Sequence, residues 1–353
     1  MKLFQASPTI ADRSIGRDNN FNLIRMLAAF GVMVSHAYPI ALGPETLEPF
    51  EVFLKGDNLG RASVFVFFAI SGFYITKSAT QRSSMPAFIR ARALRLFPAL
   101  FVMTLFTSLV GGIWLTISDE YWRVVPSYIL RTVTFSGLFF DFGQELPGLF
   151  VSNPFSEAVN GSLWSLRFEV LCYLGVVAAA LLGVFERAWL FFSLALAWVA
   201  LFLVIPQISA NFLINTLLYV GVPFVFGSGF FVFRKKIPLS FWIAWALTGL
   251  VLISRPTFMF LPVFMLALTY WVFILGFWKQ PRLEVYNRLG DYSYGFYIYA
   301  FPVQQLGAQL GMTTPILNIL FALPVTLLLA AISWHAIERP SLNLNHSPRA
   351  IRQ

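Results

Sequence analysis

The chain has 353 residues, 58% of them apolar and 17% aromatic, with only 12% charged and a formal net charge of +9. Soluble domains carry about 25% charged residues, so this composition excludes a soluble globular protein and predicts an all-α, polytopic membrane protein with lipid as its solvent. The positive charge is not a nucleic-acid signature, because the basic residues alternate along the chain in a membrane pattern.

In chain order, the first twenty residues are polar, with no apolar core and no cleavage signature. No signal peptide is expected, and residues 1–20 are predicted to form an N-terminal tail. Ten apolar spans follow, at about 21–42, 60–78, 94–116, 161–183, 188–205, 212–233, 239–253, 257–277, 291–309 and 315–336. Several approach the roughly 20 residues needed to cross a bilayer. The seventh is short and bounded by Pro238 and Pro256. The stretch 124–140 is apolar but carries Pro126 and Arg131, and is predicted to be a re-entrant or outer-surface segment. Residues 21–340 are read as one transmembrane domain, followed by a C-terminal tail over 341–353. Cys172 is the single cysteine, so no disulfide forms within the chain. Cys172 and the three histidines, His36, His335 and His346, lack metal-ligand spacing, and no metal is expected.

About ten transmembrane helices put both termini on one side. The connections on that side are 1–20, 79–93, 184–187, 234–238, 278–290 and 337–353. With every charge assigned to its nearer side, this side holds 19 Lys/Arg and 6 Asp/Glu, a net +13. The opposite side holds 6 Lys/Arg and 10 Asp/Glu, a net −4, and the two together give the chain's +9. Positive loops face the cytoplasm, so both termini are predicted to be cytoplasmic. The largest connection, 117–160, is then external. It carries Asp119, Glu120, Asp141, Glu145 and Glu157, and a loop of that length is usually functional or disordered.

Four stretches carry candidate chemistry. The first span reads NLIRMLAAFGVMVSH from Asn22 to His36, with one Arg at its start and one His deep inside. Arg25 and His36 are eleven residues apart; at roughly 100° and 1.5 Å per residue they share a helix face and lie about 16 Å apart along the axis. An ionisable residue so deep is costly and marks function by default; the plainer alternative is a His bonded to a neighbouring helix. Next, AFIRARALRLFPAL places Arg90, Arg92 and Arg95 at a cytoplasmic helix entrance, with Arg92 and Arg95 on one face and Pro98 beyond. Guanidinium forks suit phosphate oxygens, so the cluster fits a phosphate-rich cytoplasmic ligand; contact with lipid headgroups is the alternative.

In the fourth span, NGSLWSLRFEVLCYL, Glu169 lies about 12 Å below the outer end. That depth is comparable to the depth of His36, and a carboxylate beside a His can orient its ring. Pairing of Glu169 with Arg167 or a neighbouring helix is the structural alternative. Tyr292, Tyr294, Phe296, Tyr297 and Tyr299 crowd one helix start, either as an interface belt or as the lining for a sugar or acyl chain. The last span ends WHAIERP, where Glu338 is expected to hold Arg25 or the arginines of 90–95. His335 reads as a boundary anchor and His346 as solvated tail.

At these residues the sequence resembles the membrane-bound acyltransferase family 3, the O-acetylases of lipopolysaccharide, exopolysaccharide and Nod factors. Arg25-x10-His36 is similar to the family's first-helix motif. VFVFFAISGF from Val64 to Phe73 is similar to its FFxxSGF helix, Arg92-x-x-Arg95 with Pro98 to its RxxR segment, and Ser162-Leu-Trp-Ser-Leu-x-x-Glu169 to its fourth-helix motif. Ser293-Tyr294-x-x-Tyr297 and Glu338-Arg339-Pro340 are weaker matches. Two positions depart from the pattern: Asn22 stands where many members carry Asp, and Ala300 where many carry a His.

The resemblance implies an acyltransferase of the cell (inner) membrane that moves an acyl group, usually acetyl from acetyl-CoA, to a sugar hydroxyl of a cell-surface glycan or its lipid-linked precursor. His36 and Glu169 are then the catalytic candidates. Arg25, Arg90, Arg92, Arg95 and Glu338 are the candidates for the acyl-CoA site. Direct transfer and an acyl-enzyme both remain open. A transporter or flippase of lipid-linked saccharides is the alternative from another class, and a regulatory membrane sensor a third. Against the transporter stands the lack of an inverted repeat or of paired broken helices.

Overall fold

The computed structural model describes residues 7–16, 19–81, 84–134, 146–280, 283, 286 and 289–344. Residues 135–145 of the outer loop, with Asp141 and Glu145, and the tail containing His346 lie outside the described residues. The protein is an all-α, polytopic membrane protein. Among the described residues, seven helices are long and apolar enough to cross a membrane. They include α2 (Phe21–Leu42), α4 (Leu59–Gln81), α5 (Met85–Val110, continued by a π turn over Gly111–Leu115) and α7 (Trp164–Leu181, entered through a 3-10 turn over Gly161–Leu163). The others are α8 (Ala188–Ile208), α9 (Phe212–Val232) and α13 (Pro315–Ser333, continued by a π turn over Trp334–Glu338).

The other three expected spans are also helices, but shorter: α10 (Phe241–Ser254), α11 (Phe260–Gly276) and α12 (Ser293–Gln309). At 14 residues, α10 rises only about 21 Å against a hydrocarbon core of about 30 Å. Helix α5 begins at Met85, nine residues before the predicted 94, so the arginine segment lies inside the helix. A count of apolar residues stops at those arginines. The helix runs on through Arg90, which is exposed, and Arg92, which is half-buried, so it extends beyond the apolar stretch that marks the span.

The chain falls into two compact units. The first comprises Met1–Arg25, Val64–Met85 and Phe168–Leu289. Here α4 and α9 cross with almost nothing between them. A Cβ added at Gly72 would strike the Phe224 carbonyl, and one at Gly227 the Ala69 carbonyl. The approach lets Thr76 donate to Ser228 Oγ at 3.0 Å, while Ser228 donates to carbonyls of both helices, Gly72 O and Phe224 O. Small residues are the usual means of helix association in lipid, where no hydrophobic force drives it. Phe21, Phe73, Phe273 and Phe277 pack beside the crossing as a cluster of aromatic rings.

The N-terminal segment docks onto this unit. Ile10 N donates to Ile237 O and Ala11 N to Arg234 O, while Leu239 N donates to Pro8 O. A capping box between Thr9 and Asp12 starts the short helix α1 (Ile10–Arg13). Lys77 at the end of α4 donates to Ser14 O. The segment before α2, the end of α4 and the α9–α10 connection therefore meet on one side, as an even number of crossings requires.

The second unit comprises Met26–Ser63, Pro86–Arg167 and Gly290–Gln353. Its axis is α12, buried over nearly all of its length. The connection over 117–160 forms a small core of its own. Tyr121, Val125 and Tyr128 from α6 (Tyr121–Thr134) pack on Leu146, Leu149, Phe150 and Val159. Tyr121 donates to Ser108 O, which ties this core to the top of α5. Burial pushes both tyrosine hydroxyls above the usual phenol range, so they stay neutral donors. Of the stretch 124–140 read as re-entrant or outer-surface, residues 124–134 belong to a helix packed on this core, and 135–140 lie outside the described residues.

The glycine crossing yields a prediction. Gly72→Ala or Gly227→Ala forces α4 and α9 apart and should cost about 1–3 kcal/mol, the range of core overpacking. Unfolding of the detergent-solubilised protein checks it. The same substitution at Gly175, where a Cβ meets nothing within 4 Å, serves as the neutral control.

Candidate active site

The site is built on the second unit, where α2 supplies His36. The ring packs edge-on against Phe301 of α12, with centroids 5.2 Å apart. Its Nδ1 lies 3.4 Å from the Oγ of Ser162 in the 3-10 turn before α7. That turn is fixed from several directions. The Asn160 side chain accepts from Ser162 N at 3.2 Å and donates to Ile298 O of α12 at 2.8 Å. Tyr297 donates to Ser162 O at 2.5 Å and also hydrogen-bonds Ser165 Oγ at 2.7 Å. Gly161 has to lack a side chain, since a Cβ there would come within 2.7 Å of the Phe301 ring. One aromatic ring thus seats both the His36 imidazole and the turn that faces it.

Farther along the same unit, Arg95 of α5 sits among carboxylates. Its Nη2 is 2.5 Å from Asp291 Oδ2 and its Nη1 is 3.3 Å from Glu338 Oε2. The side chain of Glu338 is fully buried, and its other oxygen accepts from Ser333 at 3.0 Å. Ser293 donates to the second oxygen of Asp291. The guanidinium also lies over the rings of Tyr294 and Trp334 at 5.8 and 5.7 Å. A buried charge survives only when paired and hydrogen-bonded, and here each charged group has both.

Of the predicted site residues, the structure joins Arg95 to Glu338, as the sequence allowed. Arg25 lies on α2 eleven residues before His36, and the helix runs through both. Arg90 is exposed and Arg92 half-buried on α5. Glu169, in the first unit, accepts from Ser71 at 3.1 Å and from Tyr173 at 2.5 Å. The side chain hydrogen-bonded to His36 is Ser162, seven residues earlier in the same SLWSL motif. Asn160 and Asp291 lie outside the expected site, while Ser162 and Tyr297 enter the sequence analysis only as members of motifs and, for Tyr297, as a possible lining residue. The repeated serine of SLWS, and the Asp that opens DYSYGFY, were the available signals.

The tyrosine block does not form an interface belt. Tyr294, Tyr297 and Tyr299 are buried, and Tyr294 donates to Leu96 O. Tyr299 lines an apolar cavity of about 180 Å³ together with Phe106, Val110, Leu149, Val303 and Leu329. Among the described residues no three His, Cys, Asp or Glu side chains gather as a metal ion would need.

The chain is similar to known proteins along nearly all of its length. A family model described as an acyltransferase domain matches residues 18–335. An O-acetyl transferase of Shigella phage Sf6 is 30% identical over 343 residues, covering 92% of this chain and 96% of its own. Nodulation protein 10 of Rhizobium leguminosarum bv. viciae is 29% identical over 368 residues, covering 95% and 96%. No solved structure matches the chain.

The carboxylate cage around Arg95 can be tested by stability. Glu338→Ala leaves a buried guanidinium short of one partner, which should cost about 3–5 kcal/mol. Glu338→Gln keeps an accepting oxygen and should cost clearly less. Denaturant unfolding in detergent checks the order of the two losses; equal small losses would remove the pair from the account.

Proposed function

The chain belongs to the membrane-bound acyltransferase family 3 and is a multi-pass membrane O-acetyltransferase; from that premise we propose that it takes acetyl from cytoplasmic acetyl-CoA and delivers it to a sugar hydroxyl of a cell-surface glycan or its lipid-linked precursor. The observation that carries this reading is helix α2. It is continuous from Phe21 to Leu42, with Arg25 near one end and His36 about 16 Å farther along. A cation at the donor side and a base at depth are what a reaction between a cytoplasmic thioester and an extracytoplasmic hydroxyl needs.

In this reading Arg90 and Arg92 meet the phosphates of the donor, because guanidinium forks match phosphate oxygens two bonds at a time. Arg95 already commits both terminal nitrogens to Asp291 and Glu338. It contributes positive field and holds α5 to the start of α12 and the end of α13. His36 is the general base that takes the proton of the attacking hydroxyl. Glu169 is held within the first unit by Ser71 and Tyr173. The apolar lining beside Tyr299 suits the hydrocarbon part of a lipid-linked acceptor better than its sugar. The protein resides in the inner membrane with both termini cytoplasmic, from the asymmetry of +13 against −4.

Donor binding and chemistry should fail separately. Arg92→Ala removes a charge-assisted contact of roughly 1.5–3 kcal/mol, so affinity for acetyl-CoA should fall about ten- to a hundredfold. His36→Ala should keep donor affinity while acetyl-CoA turnover drops by about 10²–10⁴. Calorimetric titration and a turnover assay on the purified protein decide it. Parental turnover by the His36 variant would overturn the base assignment, and unchanged donor affinity in the Arg92 variant would reduce the cluster to a membrane anchor.

Topology has its own test. Cys172 is buried and should label poorly. Glu157→Cys should react with an impermeant maleimide added to intact cells, whereas Ile15→Cys should react only after permeabilisation. The reverse pattern would invert the orientation and the site with it.

A further inference from the structure

We propose that Ser162 is the nucleophile that carries the acyl group between donor and acceptor, with His36 as its base; the proposal rests on the reading of His36 as a general base. The argument begins with one proton. Ser162 is 1% exposed, so its hydroxyl proton has no bulk water to bond. A buried donor left without an acceptor is costly. The partner that the structure gives Ser162 Oγ is Nδ1 of His36 at 3.4 Å. The hydroxyl therefore donates to Nδ1, and the imidazole carries its own proton on Nε2.

That tautomer has a chemical consequence. The lone pair that makes His36 a base is the one facing Ser162, so the first proton within its reach is the serine's. A nucleophile within hydrogen-bonding reach of a base, with the base itself held in place, is the arrangement that activates a hydroxyl. Phe301 holds the ring. Tyr297 and Asn160 hold the turn that presents Ser162. The 3.4 Å separation is long for a catalytic bond, but such bonds commonly tighten only when substrate is present.

The steps balance without a further reactant. Ser162 Oγ attacks the thioester carbonyl and its proton passes to His36 Nδ1. The C–S bond breaks, and the leaving thiolate takes that proton to depart as CoA. In the second half the sugar hydroxyl attacks the serine ester and gives its proton to Nδ1. The bond from the acyl carbon to Oγ breaks, and Oγ recovers the proton from His36. The burial of Ser162 then keeps bulk water off the ester until the acceptor arrives.

The test uses the full-length protein purified in detergent with acetyl-CoA and no acceptor. We expect exchange of labelled CoA into acetyl-CoA and one acetyl group on the peptide containing Ser162. Ser162→Ala should bind acetyl-CoA like the parent but lose the adduct and reduce exchange at least a hundredfold. Ser162→Cys, which retains a nucleophile, should regain an acetyl adduct. Absence of exchange in the parent, an adduct on another residue, or undiminished exchange in Ser162→Ala would each overturn the proposal. The two readings fall apart differently: loss of turnover in His36→Ala with none in Ser162→Ala leaves the general base standing and removes only the serine. The adduct on the parent is read without any substitution, so a misfolded variant does not decide the outcome.

Discussion

A polar group in the hydrocarbon core has no water to turn to, and the second unit is arranged around that constraint. Helix α12 answers it most fully. Tyr294 reaches the Leu96 carbonyl, Tyr297 the Ser162 carbonyl, and Gln304 the Met33 carbonyl. Gln305 reaches Phe155 and Ala158 in the outer loop and accepts from Asn153 in return. Each bond satisfies an α12 side chain and at the same time immobilises a neighbouring stretch of backbone. The turn that faces His36 is one of those stretches. Its geometry is therefore set by a helix that contributes no reacting group of its own.

The same constraint sorts the arginines of α5. Arg90 lies on the exposed surface. Arg95, five residues deeper, sits where an unpaired cation is costly, and the chain surrounds it with Asp291, Glu338 and two aromatic faces. One helix thus runs from a solvated charge to a fully compensated one within two turns. The compensation also joins three elements distant in sequence, since α5, the start of α12 and the end of α13 meet at one guanidinium.

Much of this was legible in the amino-acid sequence, and the failures have physical causes. Hydropathy located all ten helical stretches, because lipid leaves little choice of residue along a span. It placed the start of α5 nine residues late, because an apolar count ends where the helix passes through Arg90 and Arg92. Arg25, His36 and the Arg95–Glu338 pair stood out as charges where charges are rare. Ser162 stood out only as a motif member, because the role of a serine at a helix entrance is not visible until the imidazole opposite it is known. The tyrosines of α12 read equally well as a lipid-interface belt, since the sequence says which residues are amphipathic but not which carbonyls they reach. The docking of residues 8–11 on the α9–α10 connection was invisible for a related reason: backbone pairing of that kind depends on main-chain atoms that every residue shares.

The π turn over Trp334–Glu338 is wider than an α-helical turn and holds one extra residue over about the same rise. Continued as a strict α-helix from Pro315, position 338 would point about one residue step, roughly 100°, away from Arg95. The reach of Glu338 is therefore a matter of chain length as much as of side-chain identity. Relatives that keep the same carboxylate on a regular helix should show a one-residue gap just upstream of it when aligned with this chain. An alignment that forces the acidic positions into one column without that gap would pair residues that point about 100° apart on the helix.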